Sequence, residues 1–141
     1  DEQDHQTGDV KDGVPFQPDF KQQDEVFHGF VKRYPNIKCI ARHVRYAHSC
    51  SENSLMAYLW YDGKTYESQK LRFHILDRVG GGDAFVSGII YALMNEYKPQ
   101  DIADFGVAES AVKHTIHGDG NITDDVSLIE HIMQMNFDIK R

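Results

Sequence analysis

The sequence predicts an α/β fold, a mixed sheet carrying an antiparallel hairpin with helices packed on it. Three observations carry this. The triplet Gly80-Gly81-Gly82 stands between a strand-like run ending in Phe73-His74-Ile75-Leu76 and a strongly periodic apolar segment, the order strand, turn, helix. Asp62-Gly63-Lys64 between two strand-like runs is a hairpin signal. The other periodic segments have helical spacing, so the order is α-β-β-β-α-α-α, too few strands for a complete doubly wound sheet.

Residues 1–17 are polar, broken by Gly8, Gly13 and Pro15, and read as a loop segment. Pro18 suits the first turn of a helix over 19–34, whose Phe20, Val26, Phe27, Phe30, Val31 and Tyr34 recur mostly at three- and four-residue spacing. Pro35-Asn36 stops it. Residues 37–44 read as a buried strand, with Arg42, His43 and Arg45 crowding its far end and a polar loop after it. Ligands of open α/β sheets gather beyond the carboxyl ends of strands, which makes Arg45, His48 and Ser49 candidate contacts beside their plainer reading as solvated loop residues. Residues 54–61 and 65–76 form the hairpin, placed towards one edge of the sheet.

The helix over 83–97 is the clearest. Val86, Ile89, Ile90, Leu93, Met94 and Tyr97 form one apolar stripe, while Ala84, Ser87, Gly88 and Ala92 keep part of its surface small. Lys98-Pro99 breaks it. A helix over 100–116, rich in Ala103, Gly106, Ala108, Ser110 and Ala111, has the composition of one buried on much of its surface. Gly118-Asp119-Gly120-Asn121 is a turn, and Thr123 caps a last helix over 124–135.

With 141 residues the chain has the size of one domain, and its hydrophobic (40%) and charged (26%) fractions are those of an ordinary globular protein. A net charge of -7 speaks against sequence-independent binding of nucleic acid, which rests on Lys and Arg meeting phosphates. No apolar run approaches the ~20 residues that span a bilayer, and the cytoplasm is the expected compartment. Cys39 and Cys50 make neither a disulfide framework nor a zinc pattern; Cys39 reads as a small buried hydrophobe. Asn121-Ile122-Thr123 is a chance match to a glycosylation acceptor.

The chemistry centres on the glycine turn. A helix N-terminus presents unpaired N–H groups to an anion, and glycine lets a phosphate come close to the backbone. Asp83 sets a carboxylate beside that anion site, where a phosphate would repel it. A base for phosphoryl transfer is the economical reason for it there; a helix N-cap is the plain structural one. Neither G-x-x-x-x-G-K-[ST] nor G-x-G-x-x-G is present.

The string Asp77-x-x-Gly80-Gly81-Gly82-Asp83-Ala84-Phe85 resembles the D-x-x-G-A-G-D-[AST]-F signature of the ribokinase-like (PfkB) carbohydrate kinases, with Gly81 where alanine is usual. Leu76-Asp77-Arg78-Val79 before it, Ala111-Val112-Lys113-His114-Thr115-Ile116-His117-Gly118-Asp119, Tyr34-Pro35-Asn36-Ile37-Lys38 and Arg45-x-x-His48-Ser49 are similar to the 2-keto-3-deoxygluconate kinases of that family. The resemblance covers most of the chain from about Asp19 and implies a ribokinase-like three-layer αβα (Rossmann-like) architecture, of which 18–141 would be the C-terminal, ATP-binding and catalytic portion only. It makes Gly80, Gly81 and Gly82 the anion hole and Asp83 the base that takes the proton of a sugar's primary hydroxyl. ATP and Mg²⁺ are the implied cofactors, and a sugar acid, 2-keto-3-deoxygluconate, the implied substrate. Gly80, Gly82, Asp83, Arg45, Ser49, Val107, Ser110 and His114 are the implied nucleotide contacts, Val107 being equally suited to helix packing. The change to Gly81 reads as conservative, at a position needing only small size. His114-x-x-His117 is not read as a metal pair.

Members of that family are about twice as long. Asp1-Glu2-Gln3-Asp4 faintly resembles its N-x-x-E motif, with Asp1 in place of asparagine, so the chain is expected to be a fragment with weak or no kinase activity alone. Unpaired sheet edge makes a homo-oligomer a further expectation. The alternatives are a non-catalytic nucleotide- or phosphate-binding module and, against the glycine spacing, a dinucleotide-dependent oxidoreductase.

Overall fold

A computed structural model describes residues 19–115 and 126–139. Eight elements follow in order: α1 (Phe20–Arg33), β1 (Cys39–Ala47), β2 (Glu52–Tyr61), β3 (Lys64–Glu67), β4 (Leu71–His74), α2 (Gly81–Met94), α3 (Pro99–His114) and α4 (Val126–Ile139). The 1–17 segment, Pro18, the 118–121 turn and Thr123 lie outside the described residues.

β2 is the middle strand. It pairs antiparallel with β1 from Cys39↔Tyr61 to Ala47↔Asn53, and on its other side with β3 and then β4. The hairpin turns through Asp62 and Gly63, both at positive φ (50° and 85°), the backbone of a type I′ turn whose twist matches the strands it joins. β3 and β4 are one strand interrupted. Met56 and Ala57 of β2 face Ser68, Gln69 and Lys70, one residue more, between the Tyr58↔Glu67 and Leu55↔Leu71 pairs, which is a β-bulge. Ser68 holds it: its N–H donates to the Ala57 carbonyl (2.8 Å) and its Oγ accepts from the Ala57 N–H (2.7 Å). The sheet departs from the mixed one expected. Among the described residues every pairing is antiparallel, because the strands follow one another through short turns and a parallel pair needs a crossover between them.

β2 alternates between two cores. Leu55, Ala57 and Leu59 face α2, α3 and α4, whereas Met56, Tyr58 and Trp60 face Phe27 of α1. Helices thus cover both faces and the layers run αβα. α3 lies on the sheet with every residue from Ile102 to His114 buried, and α2 crosses it. That crossing is close: a Cβ on Gly88 would come 2.9 Å from Cβ of Glu109 and 3.0 Å from Cα of Gly106.

The expected stripe of α2 is split: Ile89 is buried and Leu93 and Tyr97 pack partly buried against the core, while its other half faces away. Gly81, Ala84, Phe85, Gly88, Ile89 and Ala92 are buried, whereas Val86, Ile90 and Met94 are exposed. α1 likewise buries only Gln23 and Phe27 and leaves Phe20, Val26, Phe30 and Tyr34 exposed. No helix among the described residues is long and apolar enough to cross a membrane.

Candidate active site at the glycine turn

The chain leaves β4 at His74 and is tied down twice before it turns. Ile75 N–H donates to the Ser51 carbonyl (2.7 Å), and the N–H groups of Leu76 and Asp77 donate to the carbonyl of His114 (2.8 and 3.1 Å). Asp77 Oδ1 accepts from Val79 N–H at 2.9 Å, an Asx turn that reverses the chain. Gly80 then takes a left-handed φ of 81° and is the N-cap of α2, with its carbonyl accepting from Ala84 N–H at 2.9 Å. A side chain at Gly80 would be strained whatever the space around it.

This settles one alternative about Asp83. The N-cap is Gly80, so Asp83 is the third helical residue and does not cap α2; its side chain is exposed in the first turn. The N–H groups of Gly82 and Asp83 have no carbonyl one turn back to accept them, as in any first turn.

Beneath the turn lies α3. Ser110 Oγ donates to the Gly81 carbonyl at 2.8 Å, and the ring of His114 lies against Gly81 with its Nδ1 2.6 Å from the Ser110 carbonyl and its centre 5.3 Å from that of the tilted Phe73 ring. Beside the turn stands β1. The imidazole of His43 contacts Phe85 (4.8 Å between rings) and lies next to Gly82. Arg45 shares that face of β1, two residues on, and is paired with Leu55. Arg45 is therefore within the strand and not in the loop expected for it, because β1 runs three residues further than its apolar run does.

The field here is positive. Loss of water, nearly complete for the buried His114 and only partial for the half-buried Arg45 and the exposed His43, lowers their pKa values first. Neighbouring cations lower them further: Arg78 acts on Arg45, while Arg45 acts on both histidines. For His114 the Ser110 carbonyl opposes the shift. An anion arriving at the first turn of α2 would relieve this mutual repulsion.

Of the other expected contacts, Ser49 lies exposed in the 48–51 loop, whose Cys50 carbonyl accepts from Arg78 at 3.4 Å. His48 is turned to Ser54 Oγ at 2.7 Å. Val107, Ser110 and His114 are 1%, 1% and 3% exposed, so none offers a surface to a nucleotide. Val107 is core, and the other two support the turn.

Three residues at or beside the site were missed by sequence reasoning. In the sequence Arg78 is an unspecified position of the Asp77-x-x-Gly80 string, and His43 is one of the residues crowding the far end of the 37–44 strand. Asn53 was read as the last residue of the polar loop before the hairpin. It is fully buried in β2, on the sheet face of Arg45 and opposite Phe73, and its amide has no partner among the described residues. An unpaired buried amide is costly, and such sites often hold an ordered water or polar ligand group. Two clefts among the described residues, about 420 Å³ around Tyr97, Asp101 and Glu130 and about 620 Å³ around Ile37, Trp60 and Asp62, lie away from the glycine turn.

No family model matches the chain. It is 31% identical over 71 residues to 5-dehydro-2-deoxygluconokinase of Clostridium botulinum (strain Alaska E43 / Type E3), a stretch of 50% of this chain and 20% of that protein. In structure it is similar to 2-dehydro-3-deoxygluconokinase from Thermotoga maritima, with a TM-score of 0.78 at 27% identity over 86% of this chain and 37% of that one. A PfkB family carbohydrate kinase from Listeria grayi matches with a TM-score of 0.70 at 32% identity over 74% and 33%. The match thus spans about a fifth of the curated relatives and about a third of the solved structures. In sequence and in fold, this chain is similar to the PfkB carbohydrate kinases, and among them to the deoxygluconokinases, over the part of those enzymes that it spans.

Proposed function

We propose that this chain is the C-terminal, nucleotide-binding and catalytic part of a kinase that transfers the γ-phosphoryl group of ATP to the primary hydroxyl of a sugar acid. What carries the reading is the glycine turn itself: free first-turn N–H groups, an exposed Asp83 that caps nothing, and the cations Arg45 and Arg78 beside them. The N–H groups and cations would hold the phosphoryl oxygens as charge develops on them. Asp83 would accept the hydroxyl proton. Mg²⁺ keeps most of its waters and would be held chiefly through the phosphates of ATP, offsetting their charge and leaving the Asp83 carboxylate to act as the base.

For the substrate, the relatives are named for 5-dehydro-2-deoxygluconate and 2-dehydro-3-deoxygluconate, which supports a deoxy-oxo-gluconate. We favour 2-keto-3-deoxygluconate, converted to its 6-phosphate. The alternative, a non-catalytic phosphate-binding module, gains some support from the burial of Val107, Ser110 and His114, which leaves no adenine contact among them.

The test is a chimera in which this chain replaces the corresponding part of the Thermotoga maritima enzyme. It should phosphorylate 2-keto-3-deoxygluconate, and Asp83→Asn should lower kcat by about 10²–10⁴-fold while Mg·ATP binding persists. The chain alone should turn over weakly or not at all. ATP binding without turnover in the chimera would favour the non-catalytic module, and turnover unaffected by Asp83→Asn would remove the proposed base.

A further inference from the structure

We infer that Ser110 and His114 are positioning residues for the glycine turn, and that His114 is the reason residue 81 is glycine in this chain. The inference rests on the reading of the turn as an anion site, but the packing that motivates it does not.

Three contacts from one face of α3 meet the turn, Ser110 and His114 being four residues apart and so neighbours on the helix. Ser110 Oγ fixes the Gly81 carbonyl at 2.8 Å. The backbone carbonyl of His114 fixes the approach, accepting from both Leu76 and Asp77. The imidazole fills the space under Gly81. A Cβ built there would fall against Cε1 of His114 and 2.8 Å from its Nε2.

The ring cannot swing aside cheaply. Its Nδ1 is 2.6 Å from the Ser110 carbonyl, and it packs on Phe73. A carbonyl accepts only, so Nδ1 carries the proton, and Nε2 is the nitrogen turned towards Gly81. Position 81 therefore requires more than small size: with His114 beneath it, even a methyl group has no room. The alanine usual in the resembled signature and a histidine at 114 exclude one another in this geometry, so Gly81 and His114 act as one unit. What the unit sets is the direction of the Gly82 and Asp83 N–H groups, through the peptide that Ser110 holds. Preorganised donors lose much of their effect when misdirected.

The test is a double-mutant cycle on the full chain with Gly81→Ala, His114→Ala and both together, read by thermal unfolding, by the amide NMR shifts of Gly82 and Asp83, and by Mg·ATP affinity. Gly81→Ala should lower Tm, move both amides and weaken Mg·ATP binding at least tenfold. The double variant should recover most of each loss. Ser110→Ala, too mild to unfold the chain, should move the same amides and weaken Mg·ATP binding with little change in Tm. Additive losses in the cycle, or a Gly81→Ala chain that matches the parent, would overturn the pairing, and unchanged Gly82 and Asp83 amides in Ser110→Ala would overturn the positioning role. If the parent chain binds no Mg·ATP, the anion-site reading fails by itself, and Tm and amide shifts still decide the pairing.

Discussion

Asp83 and the two histidines near it are held under opposite rules. Asp83 is exposed, at the positive end of α2, where a carboxylate is favoured. His114 is buried and loses nearly all its water, whereas His43 is exposed beside Phe85 and loses only part of it. Both also lie in the field of cations: Arg45 and His114, and Arg42 from the other face of β1, act on His43, while Arg45, Lys113 and Arg78 act on His114. Their folded pKa values therefore lie below the ordinary 6.5. In the window between the lowered and the ordinary value the unfolded chain binds more protons than the folded one, so stability is full above the ordinary value and falls as pH drops through that window. Melting the chain at pH 7.5 and at 5.5 should show a loss of Tm on acidification, and His43→Gln should reduce that loss. An equal loss in the variant would mean that other groups carry it.

At the scale of elements, α2 shows how a close helix crossing overrides an apolar stripe. Gly88, Ala84 and Ala92 let α2 come against Gly106 of α3, and Phe85 and Ile89 fill the flanks. The larger Val86, Ile90 and Met94 cannot enter that seam and are left exposed, Met94 by 78%. Ile90→Gln and Met94→Gln should each change stability by less than about 0.5 kcal/mol. Ala92→Leu, at a residue with no exposure, should cost about 1–3 kcal/mol by overpacking. Chemical denaturation of the three variants checks this; a larger loss for Met94→Gln would mean that the outer face is covered in solution.

For the molecule as a whole, β1 is the longer of the sheet's two open edges among the described residues, the interrupted β3 and β4 forming the other. Among the described residues it pairs only with β2 along its nine residues, and an edge of that length invites pairing. Arg42 and Arg45 lie on this strand, so two copies meeting edge to edge bring like charges together. Self-association should therefore be weak at low salt and strengthen as salt screens those charges. Sedimentation across concentration and salt tests this, and a monomer under all conditions would count against it.

The sequence by itself determined the order of elements, the Asp62-Gly63 hairpin and the glycine turn between β4 and α2, because each is written in local residue chemistry: positive φ for the turns, period two or three to four for the elements. It also determined the likeness to PfkB carbohydrate kinases, through the string from Asp77 to Phe85. The tertiary structure decided what depends on residues distant in the chain. It chose the small face of α2 for burial because Gly106 lies seventeen residues or more from most of that face and no local period records it. It kept Arg45 inside a strand because β2 extends to pair it. It took Ser110 and His114 from expected ligand contacts to supports of the turn, and it made Gly81 a requirement where the sequence suggested a tolerated change. A glycine's neighbour across space is not legible in its neighbours along the chain.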